Sequence, residues 1–238
     1  PMARVREESV SCEGKPVFSF LDGEVQLYTD QFETKVKFPY DPERSALSTV
    51  VRGSDNQKLA RFLDWFFAIW FFQINPYQMT SETKEENSLP APNLSNLASW
   101  YRHLAQDDPR AIGEFLDDLK ESLDSFTNLN LKTFGETTRT LFSSFSAEGR
   151  QPLTFAFNEL SEGQRCLIGL YAILHFAIKR GRTVFLDEPD NFVALREIQP
   201  WLTAVEEALD EQTGQIFLIS HHPEILNQWL PESGIRFR

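Results

Sequence analysis

The most informative stretch of this 238-residue chain is Thr183-Val184-Phe185-Leu186-Asp187-Glu188, a continuous apolar run that ends in two carboxylates. A second apolar run, Ile216-Phe217-Leu218-Ile219, ends in Ser220 and His221, and the helix-patterned segment 197–211 joins the two runs. Neither run alternates apolar with polar residues, which is typical of strands covered on both faces and therefore of parallel sheets. The sequence thus predicts an α/β fold that contains a strand–helix–strand unit.

The polar residues that close these two runs are candidates for a functional site. Neighbouring parallel strands end at the same edge of a sheet, and ligands of open α/β sheets bind beyond that edge. A third element is the helix predicted from residue 161, which opens with Leu160-Ser161-Glu162-Gly163-Gln164. Its first turn offers a capping hydroxyl, a glycine for close approach and backbone N–H groups that can bind an anion. Together, the carboxylates, the histidine and this helix start predict phosphoryl chemistry on a nucleotide.

The remaining sequence is predicted to form further parts around this core. Residues 1–55 contain short alternating runs separated by turns, as antiparallel strands do. Residues 56–128 are predicted to form a helical insertion, in which a first helical pattern covers 56–72 and a proline-containing flexible loop covers 75–92. Residues 129–238 then carry the helix with the Ser161 start and both buried strands.

Composition and charge exclude several classes of protein. The chain has 23 Lys and Arg against 35 Asp and Glu, a net charge of −12, so it is not expected to coat nucleic acid unaided. We expect nucleic-acid contact only indirectly or through parts outside this sequence. No apolar run approaches the ~20 residues that span a bilayer, and no signal-peptide pattern opens the chain. We therefore expect no membrane partner. Because Cys12 and Cys166 are far apart and lack metal-ligand spacing, we also expect a reduced, cytoplasmic setting.

Four motifs, in this order, resemble those of the ABC-type ATPases. Leu160–Gln164 is similar to the ABC signature motif, Thr183–Pro189 to a Walker B strand with its following glutamate, Asp190-Asn191 to the D-loop, and Ser220-His221 to the switch histidine. The stretch 187–192 is most similar to the stand-alone AAA_21-type branch, which is related to RecF and to OLD-type nucleases and often found in phage-defence operons. The resemblance implies an ABC-type P-loop NTPase head with a parallel core sheet, an antiparallel β portion and an inserted helical subdomain.

The same resemblance implies an ATP hydrolase that uses ATP and Mg²⁺. Asp187 would hold the magnesium shell, and Glu188 would orient or deprotonate the attacking water as a general base. His221 would contact the γ-phosphate. The resemblance assigns no task to His222.

The resemblance also implies that two ATPase heads sandwich two nucleotides, as a homodimer or a higher oligomer. Ser161, Gly163 and Gln164 would meet the γ-phosphate of a nucleotide held by the second head, and Asp190 would cross the interface. Nucleotide binding and dimerisation would therefore be linked. We expect the hydrolysis to serve phage defence or DNA repair, with an effector or nuclease as a further partner.

A phosphate-binding loop of the form Gly-x-x-x-x-Gly-Lys-Ser/Thr does not occur in this sequence. The Gly-Lys pair Gly14-Lys15 has Ser9 in the place of the first glycine and Pro16 after the lysine, so it is predicted to be a turn. Three explanations stay open: the loop lies in a lobe that precedes Pro1, which we expect; it belongs to a separate chain; or the chain is a degenerate ATPase.

Two other functions are compatible with the sequence. A non-catalytic interaction module or scaffold would account for the missing loop and for the aromatic stretch Trp65–Phe72, which is either a core helix or a surface for a partner. A transporter subunit is a further alternative, and the loose resemblance of the first half argues against it.

Overall fold

The computed structural model describes residues 4–147, 149, 151–211, 214–223 and 225. The chain divides into two compact units, Pro1–Ala68 and Ile69–Arg238. Helices and sheets are both present, so the fold is mixed α/β, as predicted. Within the described residues, no helix is both long enough and apolar enough to cross a membrane.

The first unit is an antiparallel sheet with a helix packed against it. Its described elements are β1 (Glu7–Cys12), β2 (Lys15–Leu21), β3 (Glu24–Tyr28), β4 (Thr34–Pro39), a 3-10 turn (Ala46–Thr49) and α1 (Gln57–Phe67). The strands pair in chain order. Glu13 and Gly14, which connect β1 to β2, both have left-handed backbone angles, φ 54° and 74°, and this is the geometry of a two-residue hairpin turn. Gly14 therefore lies in a turn, as predicted, whereas Lys15 is the first residue of β2.

Helix α1 packs against the antiparallel sheet of the first unit. Leu59 and Leu63 are buried in one apolar cluster with Phe18 and Phe20 of β2. The domain boundary predicted at residues 55 and 56 thus falls before a helix that packs on the first unit, and the described division comes at residues 68 and 69.

The helical pattern predicted for residues 56–72 is wrong over its last residues. Helix α1 ends at Phe67, and Trp70–Phe72 forms strand β5. The reason is that a short continuous apolar run fits a buried strand as well as a buried helix, and periodicity alone does not separate the two.

The second unit begins with β5 and alternates strands with helices. Its further described elements are β6 (Glu82–Thr83), α2 (Leu97–Asp107), α3 (Pro109–Ser122), β7 (Phe126–Phe134), β8 (Thr138–Phe145), β9 (Leu153–Ala156), α4 (Glu162–Phe176), β10 (Thr183–Asp187), α5 (Leu195–Glu211) and β11 (Gln215–Ile219). Three 3-10 turns, Pro76–Gln78, Phe157–Glu159 and Ile178–Arg180, lie among these described elements.

A parallel sheet forms the centre of this unit. The described strands run in the order β11-β10-β5, and β10 pairs in parallel with both neighbours. Val184 lies opposite Ile216 and Trp70, and Phe185 lies opposite Phe217 and Phe71. The predicted parallel pairing of the two apolar runs is confirmed, and β5 extends it by a third strand.

An antiparallel sheet accompanies the parallel one. Its strands are ordered β6-β8-β7, and β9 also pairs with β8. Strand β6 comes from the segment 75–92, for which the sequence predicts a flexible loop. That segment also contains a 3-10 turn, and the side chains of Met79 and Thr83 within it are buried.

Helices α4 and α5 lie against one face of the parallel sheet. Val184 and Leu186 of β10 are buried in the same apolar cluster as most residues of α4 and as Trp201 of α5. The indole Nε1 of Trp201 donates a hydrogen bond to the carbonyl of Leu170 at 2.9 Å. The all-round apolar pattern of α4 is explained by this burial, and the packing brings the start of α4 close to the residues that follow β10.

Candidate functional site

The two predicted strand ends meet at the carboxyl edge of the parallel sheet. Asp187 lies opposite Ile219 in the register of β10 and β11. The Glu188 amide donates a hydrogen bond to the Ile219 carbonyl at 2.8 Å, which continues the pairing by one residue. The acid pair and His221 therefore lie together, as the parallel arrangement predicts.

Glu188 is held in place by its backbone and by two side chains. Its φ of 47° is left-handed, which is uncommon for a residue with a side chain and is costly unless the surroundings enforce it. Its Oε2 accepts a hydrogen bond from Asn191 Nδ2 at 2.6 Å, and its Oε1 lies 3.1 Å from His221 Nδ1. Because the Glu188 side chain is 38% exposed, the carboxylate is oriented and still reachable by water.

Asp187 has a neighbour that sequence reasoning missed. Gln73, which directly follows β5, donates a hydrogen bond from Nε2 to Asp187 Oδ2 at 2.9 Å. The available signal was its position, since Gln73 closes the apolar run Trp70–Phe72 just as Asp187 and Ser220 close theirs. Once 70–72 is recognised as a strand of the parallel sheet, its polar terminal residue belongs to the same edge.

The donor set at this edge fits Mg²⁺. Carboxylate and amide oxygens are hard ligands of the kind that magnesium prefers, and Asp187 and Gln73 supply one of each. In the described part of the chain, no group of three or more His, Cys, Asp and Glu residues could hold a metal by itself. A magnesium ion here would take its other ligands from water and phosphate oxygens, which is its common mode of binding.

The start of helix α4 is a capping box. The Ser161 hydroxyl accepts a hydrogen bond from the Gln164 amide at 3.2 Å, and the Gln164 side-chain oxygen accepts one from the Ser161 amide at 3.1 Å. This reciprocal cap gives both residues a structural role in starting the helix. A Cβ added at Gly163 would lie 3.0 Å from the carbonyl oxygen of Phe192, so glycine allows the chain after Glu188 to pack on the helix start.

Asp190 lies in that same packed chain segment. Its Oδ1 is buried and has no hydrogen-bond partner among the residues that the structure describes. The thiol of Cys166 lies 3.7 Å from the Pro189 carbonyl, and burial, with a smaller contribution from the Asp190 charge, raises the pKa of Cys166 to about 12. Cys166 therefore remains a thiol near neutral pH and is not a nucleophile.

His222 is placed beside the switch-like histidine by a local turn. Its backbone amide donates a hydrogen bond to the Ser220 hydroxyl at 3.0 Å. This hydrogen bond supports the turn that follows β11. Of the two histidines, it is His221 whose ring contacts the Glu188 carboxylate.

The chain matches the model of a known protein family. The family described as "AAA domain, putative AbiEii toxin, Type IV TA system" matches residues 14–227, which is well over half of the sequence. No curated protein matches the chain. AAA-domain families generally hydrolyse ATP with Mg²⁺, in agreement with the donor set at the strand ends. The chain belongs to this family of AAA domains, and with it to the P-loop ATPases.

Proposed function

We propose that the chain is the catalytic part of an ABC-type ATPase that couples ATP binding and hydrolysis to the association of two ATPase heads. The observation that supports this most is the convergence of Gln73, Asp187, Glu188 and His221 at the carboxyl edge of one parallel sheet. That edge is where open α/β folds bind their ligands.

Glu188 is the proposed general base. Its carboxylate is fixed by Asn191 and by His221 and remains accessible to solvent, so it can orient a water molecule and accept its proton. His221, which is 76% exposed, is free to turn its other ring nitrogen toward a terminal phosphate. Asp187 and Gln73 would hold Mg²⁺, which neutralises phosphate charge when bound.

The start of α4 and Asp190 are proposed to face a second head. Ser161, Gly163 and Gln164 would present the helix N-terminus to the γ-phosphate of the nucleotide that the other head holds. Asp190 would contact that head, as the resemblance implies. Two composite sites would then form only in the dimer, which links nucleotide binding to association.

The phosphate cradle is proposed to come from a part of the complete protein outside this sequence. Gly14 lies in the hairpin turn between β1 and β2 and Lys15 is the first residue of β2, and no other Gly-Lys pair occurs in the chain. A glycine-rich loop elsewhere would supply the backbone N–H groups and the lysine that hold β- and γ-phosphates.

The proposed setting is phage defence or DNA repair. The description of the family names a toxin and a type IV toxin–antitoxin system, which supports the defence alternative. The net charge of −12 supports an effector or nuclease partner, and not this chain, as the contact for nucleic acid.

The test is Glu188→Gln in the complete natural protein that contains this sequence. Loss of the base should lower the rate of ATP hydrolysis by about 10²–10⁴-fold. Calorimetry with Mg·ATP should show that binding is retained, since the amide preserves the size of the side chain. Glu207→Gln, on the exposed side of α5, is the matched control and should hydrolyse ATP at the normal rate.

Two outcomes of this experiment would contradict the proposal. Unchanged hydrolysis in Glu188→Gln would remove Glu188 as the base. If the complete unmodified protein gave no heat with Mg·ATP, the second candidate function, a non-catalytic scaffold, would replace the ATPase. The observation that favours it is the hairpin turn at Glu13-Gly14, which leaves the Gly-Lys pair without a phosphate-binding loop.

A further inference from the structure

A groove of about 1050 Å³ lies in the second unit, and it is lined by residues from the segment 77–87, from the start of α2 and from α4. This volume is at the upper end of the range for small-molecule sites. None of the residues proposed to act at the carboxyl edge of the parallel sheet is among the described residues that line the groove. It is therefore a second candidate site.

The lining of the groove is polar. Eight of its fourteen described residues are serine, threonine or asparagine. Several of their hydrogen-bond donors are unused, because the Ser95 hydroxyl, the Asn87 side-chain amide and Asn158 Nδ2 donate to no described residue. The groove thus fits a polar ligand that accepts hydrogen bonds.

The charge that is buried in this lining is a cation. Arg165 of α4 is 7% exposed, whereas the other charged residues among the described lining, Glu82, Lys84 and Glu85, are all exposed. Solvent weakens the field of exposed charges, and a buried charge acts more strongly at short range. The part of the lining that water does not screen is therefore positive.

The guanidinium of Arg165 is incompletely paired. Its Nη1 donates a hydrogen bond to the Pro76 carbonyl at 2.6 Å. Its Nε is buried and has no partner among the described residues, and its Nη2 lies 3.7 Å from Glu162 Oε1, which is too far for a hydrogen bond. Nε and Nη2 form the edge of a guanidinium that binds a carboxylate or a phosphate through two parallel hydrogen bonds. Within the described chain, that edge has no acceptor.

Arg102 of α2 shows the difference that a close counter-ion makes. One of its nitrogens, Nη1, is also buried without a partner, but its Nε donates to Glu86 Oε1 at 3.0 Å. The carboxylate nearest to Arg165 belongs to Glu162, whose side chain is 45% exposed and can turn toward water. A buried charge without a close counter-ion is costly. An anionic ligand would supply the counter-ion that Arg165 lacks.

We propose that this groove binds a small polar molecule that carries an oxyanion, a phosphate or a carboxylate, and that the Nε–Nη2 edge of Arg165 receives the oxyanion. Ser95, Asn87 and Asn158 donate hydrogen bonds to the remainder of the ligand. The proposal rests on the groove alone and does not depend on ATP hydrolysis.

The test is hydrogen exchange of the complete natural protein, resolved by peptide and measured without ATP. Inorganic phosphate and acetate are the two probes, each titrated to about 50 mM at constant ionic strength, which populates even a millimolar site. At least one of them should slow exchange in peptides that cover residues 79–87 by about threefold or more, and leave α5 unchanged. A response to phosphate alone identifies a phosphate ligand, a response to acetate alone identifies a carboxylate, and a response to both supports the shared oxyanion chemistry.

Four variants separate an anion site from a purely structural role of Arg165. Arg165→Gln should weaken the affinity for the probe by about tenfold or more, while Arg180→Gln, the same change of charge beyond the other end of α4, should retain it. Asn158→Asp keeps the acceptor for Ser81 and adds a negative charge, so it should weaken the affinity by about threefold or more. Glu162→Gln removes the nearest competing carboxylate and should strengthen it by about two- to fivefold. A structural role of Arg165 predicts no such gain.

Three results would overturn the proposal. The first is no response to either probe in the unmodified protein. The second is a response that is lost in Asp187→Asn and retained in Arg165→Gln, because the anion would then bind at the strand ends. The third is an unchanged affinity in both Asn158→Asp and Glu162→Gln, which decides the matter even where Arg165→Gln fails to fold.

Discussion

Two carboxylate–histidine pairs lie in the described part of the second unit, and they occupy opposite environments. Glu188 and His221 are 3.1 Å apart at the strand ends, with side chains 38% and 76% exposed. Asp118 of α3 and His175 of α4 are 2.7 Å apart, with the Asp118 side chain 34% exposed and the His175 side chain 1% exposed. The carboxylates are thus similarly accessible, and the histidines differ: one pair, the accessible pair, has an exposed histidine beside a strained backbone, and the other, which we call the buried pair after its histidine, lies between regular helices.

The difference indicates different roles. Strain at Glu188 is maintained where a carboxylate must point in a fixed direction, and solvent access allows water and substrate to reach it. The buried pair has regular helical backbone on both sides, and Lys179 Nζ lies 3.5 Å from the same Asp118 oxygen. We therefore expect changes at the accessible pair to alter turnover and changes at the buried pair to alter stability.

The largest expected effect is on hydrolysis. His221→Ala in the complete natural protein should lower the rate of ATP hydrolysis by about 10²-fold, because one contact to the transferring phosphate is lost. His175→Ala, assayed where it remains folded, should hydrolyse ATP within a few-fold of the normal rate. If His221→Ala and His175→Ala lost the same fraction of the hydrolysis rate, the two pairs would not have different roles.

The next largest effect is on the free energy of unfolding, and it should be large for His175→Ala and small for His221→Ala. His175→Ala removes a buried ring that contacts Phe115 and Phe176, and should lower the free energy of unfolding by about 2–4 kcal/mol. His221→Ala should change it little because the ring is exposed. Urea unfolding followed by tryptophan fluorescence measures both, and a larger loss for His221→Ala would contradict the comparison.

The smallest effect is a pH dependence of stability. Burial, assisted by the charge of Lys179 and opposed by Asp118 and Glu114 of α3, lowers the pKa of His175 below 6.5. The unfolded chain then binds a proton near pH 6.5 that the folded protein resists, so stability is fully present above pH 6.5 and falls as the pH drops below it.

The pH dependence that His175 can add to the free energy of unfolding has an upper limit. One such group contributes a slope of at most about 1.4 kcal/mol per pH unit. The difference in unfolding free energy between pH 7.5 and pH 5.5 should be smaller in His175→Gln than in the unchanged protein, since glutamine does not titrate. An identical pH dependence in both would show that His175 does not carry the charge change.

The sequence was sufficient for the parts of the site that lie at ends of long, buried segments. The acid pair at the end of β10 and the histidine after β11 follow apolar runs that lack alternation, and such runs predict parallel strands with a shared edge. The sequence also predicts the capping hydroxyl of Ser161 at the start of α4, whereas the reciprocal hydrogen bond to the Gln164 side chain is seen only in the structure. These predictions depend only on local pattern and on the geometry of parallel pairing.

Three other features of the structure could not be predicted from local sequence pattern. Strand β5 has three residues, too few to distinguish its period from that of α1, and Gln73 was missed with it. The left-handed backbone at Glu188 carries no sequence sign, because the position is neither glycine nor asparagine. The side on which Phe185 and Phe217 lie depends on which face of the sheet α5 covers, and apolar runs are equally apolar on both faces.

The fit between Gly163 and the carbonyl of Phe192 has a mechanical consequence. Because a Cβ added at Gly163 would lie 3.0 Å from that carbonyl oxygen, the segment that carries Asp190 and Asn191 passes close to the first turn of α4 and has little room to shift toward it. Asn191 in turn holds the carboxylate of Glu188. In the proposed pair of heads, a rearrangement around the base of one site would therefore also move the helix end that serves the other site. The two sites would then hydrolyse ATP together and not independently.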